Sequence, residues 1–259
     1  MKRMHHWLMG LAAVTALTLS FTPAHARDLE SIKKAGTLQL ATEGAFAPFN
    51  YFLGTKLTGY EIDVAEAVAK KMGLQIEWKA LAFDALISAV RQDRFDAAIA
   101  SHGYTDERAK SVDFTSPHYC SGGQVVARSG GPKTVADLKD KVVVVQLATT
   151  YSDAVTKLPG LKEVKTLPKD TDALSALMGQ RADAWVTDKF VAKNSATKLG
   201  GNKLQLGEMV FTEKISFILK KGNPELKAAM SEAVDALKAD GTMASISKRW
   251  FDEDISACK

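Results

Sequence analysis

The sequence predicts an α/β protein with mainly parallel sheets, arranged in two domains. Short apolar runs that suit buried strands alternate with amphipathic helical patterns, and this alternation is typical of parallel sheets. The same order of elements returns in the second half of the chain. A leader ending at residue 26 would leave residues 27–259, which is enough for two modest domains with their own cores.

Residues 1–26 indicate a secretory signal peptide. Lys2 and Arg3 supply a positive start, residues 7–21 form an apolar stretch, and residues 24–26 (Ala-His-Ala) fit the small-residue cleavage pattern. The apolar stretch is too short for a stable membrane span, and an uncleaved anchor is the alternative. We therefore expect cleavage after Ala26 and a soluble exported protein.

The charge balance excludes some classes of partner. The formal net charge of the whole chain is +4, and two of the basic side chains belong to the leader. No run of like charge stands out, so the sequence gives no support to nucleic-acid binding or membrane-surface binding.

Two cysteines, Cys120 and Cys258, follow the leader. An even pair in an exported protein indicates a candidate disulfide, although spacing alone cannot show that the two residues are close. A bridge would fasten the C-terminal tail to the rest of the chain. We expect the bridge, with two isolated thiols as the alternative.

Strand and helix patterns alternate through the first half. The periodicity and the Gly36 and Gly73 stops predict the following elements: a helix over 28–35, a strand over 37–41, a glycine- and aromatic-rich loop over 42–59, a helix over 60–72, a strand over 74–78 and a helix over 83–92. The loop follows a strand, where a binding loop is expected.

A short apolar strand over 97–100 leads into polar residues with the chemistry of a binding site. Ser101 and Gly103 follow the strand directly, and ligands of open α/β sheets bind at the carboxyl ends of strands. Arg108 comes next, in the first turn of a predicted helix. Its guanidinium suits a carboxylate held by two parallel hydrogen bonds. The alternative is a surface arginine paired with Asp106 or Glu107.

The second half repeats this arrangement. Residues 171–184 echo residues 83–97 as a helix, a charged turn and a small-residue strand, and the second strand leads to Asp188. A valine strand over 141–146 precedes Thr149 and Thr150 at a helix start, which is either an anion site or a simple N-cap. The later patterns predict a helix over 189–199, a strand over 214–220 and helices over 224–240 and 243–251.

Four stretches occur in the order of a known family: 42–50 (TEGAFAPFN), 59–65 (GYEIDVA), 96–119 (DAAIASHGYTDERAKSVDFTSPHY), and 240–242 (DGT) with 248–251 (KRWF). Together they resemble the periplasmic solute-binding proteins for polar amino acids, which are partners of ABC importers. The resemblance covers essentially all of the chain after the leader. It identifies a family and not a particular ligand.

This resemblance implies the two-domain periplasmic binding protein fold of type II, with a ligand cleft between the domains. We expect domain 1 to be discontinuous, comprising 27–120 and 215–259, and domain 2 to comprise 121–214. The crossings between them should lie near 119–124 and 212–217. The resemblance also implies a periplasmic monomer that meets an ABC permease of the inner membrane transiently, with no cofactor and no metal.

A bound amino acid presents a carboxylate and an ammonium, and each needs a partner when buried. Arg108 suits the carboxylate, and the resemblance places Asp188 at the ammonium-binding aspartate. Ser101, Thr149 and Thr150 could add donors to the carboxylate. Gly103 stands at a ligand-contact position where the family has Ser or Thr, so one hydroxyl contact is missing.

The resemblance also implies where the ligand side chain lies. Phe46 and Phe83 match the two positions that sandwich it, although either could be ordinary core. Glu43 could meet a cationic or amide group, which favours a basic amino acid or glutamine. His102 replaces a residue that is usually apolar, and we expect it to be buried and hydrogen-bonded.

An enzyme is not expected, because the sequence contains no G-x-S-x-G, H-E-x-x-H, P-loop or C-x-x-C motif. One alternative is a cyclohexadienyl or prephenate dehydratase-like enzyme in the same fold, which would not need Asp188. The other is a ligand sensor that partners a receptor and uses the same cleft.

Overall fold

The computed structural model describes residues 27–258, so the predicted signal peptide lies outside the described residues. Within residues 27–258, no helix is both long enough and apolar enough to cross a membrane.

The first part of the chain forms eight strands and four helices: α1 (Leu29–Ala35), β1 (Thr37–Thr42), β2 (Ala45–Phe46), β3 (Asn50–Leu53), β4 (Lys56–Thr58), α2 (Tyr60–Lys71), β5 (Gln75–Ala80), α3 (Phe83–Arg91), β6 (Ala97–Gly103), α4 (Asp106–Ser111), β7 (Val112–Phe114) and β8 (Tyr119–Ser121). Most predicted boundaries agree to within about two residues because local signals set them. The exception is β6, which was predicted over 97–100 but continues through Ser101 to Gly103, so both residues belong to the strand itself. Asp28, for example, caps α1 by accepting from the Ser31 N–H, and Gly36 ends it at φ 68°.

The chain then enters a second set of elements: β9 (Gly123–Arg128), a 3-10 turn (Ala136–Leu138), β10 (Val142–Gln146), α5 (Thr150–Val155), β11 (Glu163–Leu167), α6 (Asp170–Met178), β12 (Ala184–Asp188), α7 (Lys189–Lys198) and β13 (Leu204–Met209). It returns through β14 (Glu213–Lys220), α8 (Pro224–Ala239) and α9 (Thr242–Phe251).

Two mixed sheets organise these elements. The first has the order β5-β1-β6-β14-β7, with β8 also beside β14, and the second has the order β11-β10-β12-β9-β13. In each sheet three strands are parallel, as predicted. The strand that enters after each crossing, β9 or β14, is antiparallel to its neighbours. The α/β prediction is confirmed, but the sheets are mixed because these returning strands have no helical crossover.

The predicted loop over 42–59 contains more structure than expected. Strands β2, β3 and β4 form a small antiparallel sheet there. Gly59 packs directly against the backbone of Phe49 at the end of this sheet. A side chain would not fit there, because a Cβ on residue 59 would lie 2.1 Å from the Phe49 carbonyl oxygen. Strands this short carry too little alternation to be recognised from sequence.

Two short segments connect the sheets, one between β8 and β9 and one between β13 and β14. The first segment lies within the range 119–124 predicted for the first crossing. The second segment ends before Glu213, slightly earlier than the predicted range 212–217, since Glu213 already pairs with Ser121 in the first sheet. The domain boundaries at residues 120 and 215 stay a prediction.

Aromatic side chains pack where the crossings meet the C-terminal helix. Phe49 stacks on Tyr119 with ring centroids 4.7 Å apart, and Phe190 of α7 lies 4.9 Å from Phe251 of α9. The predicted disulfide is confirmed: Cys120 and Cys258 are bonded, with Cα atoms 5.2 Å apart. The tail is therefore held against the crossing strand β8.

Candidate functional site

A small cavity lies where the carboxyl ends of strands from the two sheets meet. Its lining residues are Glu43, Phe46, Phe83, Ala100, Ser101, Gln146, Thr149, Thr150 and Tyr151. All of these except Ala100, Gln146 and Tyr151 were predicted as site residues. The cavity volume is about 10 Å³, roughly the space of one water molecule. The cleft is therefore shut at these strand ends, while an open groove remains beside them, lined by Thr150 and Glu213 among other residues.

Hydrogen bonds across the cleft keep it shut. Gln146 Nε2, at the end of β10, donates to Glu43 Oε1 at 2.7 Å, so each side supplies one partner. Sequence reasoning missed Gln146. The available signal was a polar residue directly after four valines, at the carboxyl end of a buried strand.

Arg108 links the two sides in a second place. Its Nη1 donates to the Gly103 carbonyl oxygen and its Nη2 to the Ala148 carbonyl oxygen, both at 2.9 Å. Arg108 is buried, and within residues 27–258 neither Asp106 nor Glu107 pairs with it. The surface-arginine alternative is therefore wrong. A guanidinium has five N–H donors, so three remain available.

Ala148 has a backbone conformation that usually requires glycine. Its φ is +60°, and this turn directs its carbonyl to Arg108. The resemblance to the periplasmic solute-binding proteins implies a glycine at this position, yet alanine keeps the left-handed turn. An L-residue pays for that turn with strain of about 1 kcal/mol.

Asp188 lies fully buried at the end of β12. Its Oδ1 accepts from the Phe190 N–H at 2.7 Å and the Val191 N–H at 3.3 Å, and so caps α7. Its Oδ2 has no hydrogen-bond partner among residues 27–258. Burial raises the pKa of Asp188 to about 6. One carboxylate oxygen is thus committed to the helix, and the other is available to a cation.

Ser101 lines the cavity, but its donors are already used. Both its N–H and its hydroxyl donate to the buried carboxylate of Glu61, at 2.8 and 3.1 Å. Glu61 also contacts Asn50 Nδ2 at 2.7 Å and His118 Nε2 at 3.0 Å. Ser101 therefore has no donor left for a ligand carboxylate in this structure, contrary to the expectation. Ser101 offers lone pairs instead, in a position fixed by Glu61.

Thr149 is an N-cap. Its hydroxyl accepts from the Ser152 N–H at 3.1 Å and donates to the Gln146 carbonyl at 2.7 Å. The sequence left two alternatives for this helix start, an anion site or a simple N-cap, and the structure supports the N-cap for Thr149. Thr150 is different, since its side chain lies beside Gly103 and faces the cavity.

Glu43 and the two phenylalanines form the other end of the cavity. Burial raises the pKa of Glu43 to about 7, against the opposing effects of the Gln146 hydrogen bond and the Lys169 charge. Phe46 stacks on Phe49 at 5.8 Å, and Phe83 stacks on His102 at 4.9 Å. Both phenylalanines therefore pack against the core with one face while they line the cavity.

His102 is fully buried as expected, but neither ring nitrogen has a hydrogen-bond partner in the described part of the chain. Burial lowers its pKa well below the usual value, and the nearby Arg108 charge adds to this. The ring is thus neutral and acts as an aromatic support for Phe83.

Among residues 27–258, no group of three or more His, Cys, Asp or Glu side chains is placed to hold a metal ion. The polar chemistry of the cleft comes from Arg108 and the buried carboxylates around it.

The chain has the fold of the type II periplasmic binding proteins. It consists of two mixed sheets with polar residues at their facing strand ends, and two crossings join them. The family of bacterial extracellular solute-binding proteins, family 3, matches residues 38–253. The chain belongs to this family.

Individual relatives agree on the class and differ in the named ligand. The chain is 31% identical over 256 residues to the L-cystine-binding protein TcyJ of Escherichia coli strain K12, covering 96% of each chain. Among solved structures, an ancestral arginine-binding protein bound to glutamine is 36% identical, with a TM-score of 0.80 and coverage of 84% of this chain and 99% of that one.

One of the similar solved structures is related to the dehydratase-like enzymes that were considered as an alternative. The ancestral amino acid-binding protein AncCDT-1, a precursor of cyclohexadienyl dehydratase, is 31% identical, with a TM-score of 0.79 and coverage of 86% of this chain and 98% of that one. It too is named for amino-acid binding. The named relatives are binding proteins, and the family to which the chain belongs is one of solute-binding proteins rather than of enzymes.

Proposed function

We propose that the protein captures a polar L-amino acid in the periplasm and delivers it, as a monomer, to an ABC permease, with a basic amino acid or glutamine favoured. The observation that carries this proposal is the placement of Arg108. Its guanidinium is fixed by one carbonyl from each side of the cleft and retains three N–H donors.

The ligand carboxylate would bind the remaining donors of Arg108, and its ammonium would bind Asp188 Oδ2. Arg108 follows a strand of the first sheet, and Asp188 ends a strand of the second. A zwitterion held by both residues would bridge the predicted domains and favour closure. Because the shut cavity holds about 10 Å³, the cleft has to open for the ligand to enter.

The ligand side chain would lie between Phe46 and Phe83 and reach Glu43. A guanidinium or ammonium gains about 0.5–2 kcal/mol over an aromatic face. It would also lower the pKa of Glu43, which burial now raises to about 7. An amide could replace the hydrogen bond that Gln146 donates to Glu43. Ser101, Gly103, Thr149 and Thr150 would complete the polar surroundings.

The test is a thermal-shift screen of refolded, ligand-stripped protein against the common L-amino acids and L-cystine. At a hundredfold over Kd, a ligand adds about 2.7 kcal/mol to the free energy of unfolding. For a chain of this size, we expect L-arginine, L-lysine, L-histidine or L-glutamine to raise the Tm by roughly 5–11 °C.

Arg108→Ala is the matched variant, checked for folding by circular dichroism. Loss of the carboxylate partner should weaken binding by about 2–5 kcal/mol, so its shift should vanish. A response only to acidic or aliphatic amino acids, or only to L-cystine, would contradict the basic or amide ligand. No response to any amino acid would contradict the proposed function, and an Arg108→Ala affinity within threefold of the parent would contradict the role of Arg108.

A further inference from the structure

Glu213, the first residue of β14, brings a further carboxylate to the cleft. Both of its carboxylate oxygens are shielded from solvent, and neither has a hydrogen-bond partner of normal geometry among residues 27–258. A buried carboxylate without partners is costly, so an arrangement of this kind calls for an explanation.

Gly103 leaves the space that this carboxylate occupies. Gly103 ends strand β6, and its φ lies outside the left-handed region, so the backbone there would accept any residue. A Cβ on Gly103, however, would lie 1.8 Å from Glu213 Oε2 and 3.2 Å from Thr150 Cγ2. A residue with a Cβ at position 103 would therefore require the Glu213 carboxylate to move away, whereas glycine lets it approach closely.

The Glu213 carboxylate lies close enough to both charged residues of the proposed site for their charges to affect its pKa. The Gly103 carbonyl that fixes Arg108 belongs to the same residue that Glu213 touches. Burial raises the pKa of Glu213 to about 7; the Thr150 hydroxyl and the Arg108 charge lower it, and the Asp188 charge raises it. Glu213 thus lies within electrostatic range of Arg108 and Asp188.

The hydrogen-bonding capacity of an ammonium indicates what such a carboxylate can do. An ammonium group has three N–H donors, and a buried one needs an acceptor for each. Asp188 offers one oxygen, because its other oxygen caps α7. Glu213 brings two further oxygens, which lie near the Thr150 and Tyr151 hydroxyls but have no hydrogen bond of normal geometry among the described residues. Together with Asp188 Oδ2 they offer three acceptors.

We propose that Glu213 is a further ligand-binding residue, which pairs with the α-ammonium of the bound amino acid alongside Asp188 in the space left by Gly103. This inference rests on the proposed function. It explains why a hydroxyl residue is absent at position 103: its side chain would collide with Glu213. The competing interpretation is that Glu213 imitates the ligand carboxylate and competes for Arg108.

The first experiment measures affinity by calorimetry, using whichever of L-arginine, L-lysine, L-histidine, L-glutamine and L-cystine the parent binds. Glu213→Gln keeps the shape and removes the charge, and we expect at least a tenfold loss of affinity. Glu253→Gln is the control, since this exposed side chain pairs only with Lys193, at 3.8 Å, and should change affinity less than twofold.

The second readout identifies the ammonium as the group recognised. The α-hydroxy acid analogue of the same ligand keeps the carboxylate and the side chain but lacks the ammonium. The parent should prefer the amino acid over this analogue, and that preference should fall at least tenfold in Glu213→Gln. A residue with only a structural role would weaken both ligands equally.

The third readout uses the Gly103–Glu213 contact itself. Gly103→Ser should abolish detectable binding, and adding Glu213→Ala should restore part of it because the collision is removed. If Gly103→Ser does not fold, the analogue measurement still decides. Binding by Glu213→Gln as tight as that of the parent, or tighter, would overturn the inference and favour competition for Arg108. Failure of the parent to bind any amino acid would overturn the proposed function instead.

Discussion

At the scale of single residues, the geometry of Arg108 depends on an alanine in a glycine conformation. The Ala148 carbonyl accepts from Arg108 Nη2 only because Ala148 adopts φ +60°. The family's glycine would supply the same turn without strain between its side chain and the backbone. Alanine at position 148 therefore lowers the stability of the folded protein relative to glycine, but it keeps the carbonyl directed at Arg108.

We predict that Ala148→Gly raises the free energy of unfolding by about 0.5–1 kcal/mol, because the strain of the left-handed alanine is removed. Urea denaturation measures this change. Ala228→Gly is the control, in the exposed interior of α8, and should lower the free energy of unfolding by about 1 kcal/mol. A loss in Ala148→Gly as large as in the control would mean that residue 148 is not strained.

At the scale of elements, the C-terminal tail is fastened to a strand at the first crossing. Cys258 is bonded to Cys120 of β8, and the Cys120 N–H donates to the Ile255 carbonyl at 3.1 Å. Ile255 is buried, and its N–H donates to Ser247 Oγ of α9 at 2.8 Å. The bridge thus connects β8, the tail and α9 beside the point where the two sheets join.

We predict that Cys120→Ser combined with Cys258→Ser lowers the free energy of unfolding by about 2–5 kcal/mol, since the unfolded chain is no longer cross-linked. The bridge spans 138 residues of sequence, which makes the closed loop long.

The matched measurement for the bridge is unfolding with and without a reductant. Reductant should destabilise the parent and leave the double variant unchanged. Equal stability of the parent and the variant under oxidising conditions would show that the tail is held by packing alone.

At the scale of the whole molecule, burial raises the pKa of four carboxyl groups near the facing strand ends. The values are about 7 for Glu43 and Glu213, about 6 for Asp188 and about 8 for Asp170. Asp170 accepts hydrogen bonds from Trp185 Nε1 at 2.9 Å and Thr187 Oγ1 at 3.0 Å. Closing the cleft therefore concentrates acids that hold their protons more tightly than they do in the unfolded chain.

We predict that the ligand-free protein loses stability as the pH rises from 6.5 to 8.5. In this window the native carboxyls retain protons that the unfolded chain has already released, so unfolding releases protons and becomes easier at higher pH. Below pH 6.5 His102 opposes the trend, because burial lowers its pKa and the unfolded imidazole gains a proton there. A Tm decrease of roughly 5 °C or more is expected.

Asp170→Asn is the informative variant for this pH dependence. The amide is uncharged and can still accept from Trp185, so the decline above pH 7 should become shallower. A Tm that stays flat or rises between pH 6.5 and 8.5 in the parent would contradict the raised pKa values.

Most elements, the fold class and the family could be predicted from the sequence alone, and so could several of the residues that lie at the facing strand ends. Helix periodicity, caps and glycine stops are local signals, and they predicted most boundaries closely. The ordered motifs predicted the family, and the position of Arg108 after a buried strand identified a guanidinium at the cleft. Cys120 and Cys258 were expected to bond, and they do.

Which groups meet inside the cleft could not be predicted, because it depends on how distant parts of the chain pack together. Glu213 touches Gly103 because β14 returns beside β6 in a particular register. Ser101 donates its hydrogen bonds to Glu61, and Arg108 Nη2 donates to the Ala148 carbonyl, which follows a strand of the opposite sheet. These contacts join residues about 40 to 110 positions apart, so sheet order and register fix them, and no local sequence pattern encodes either one.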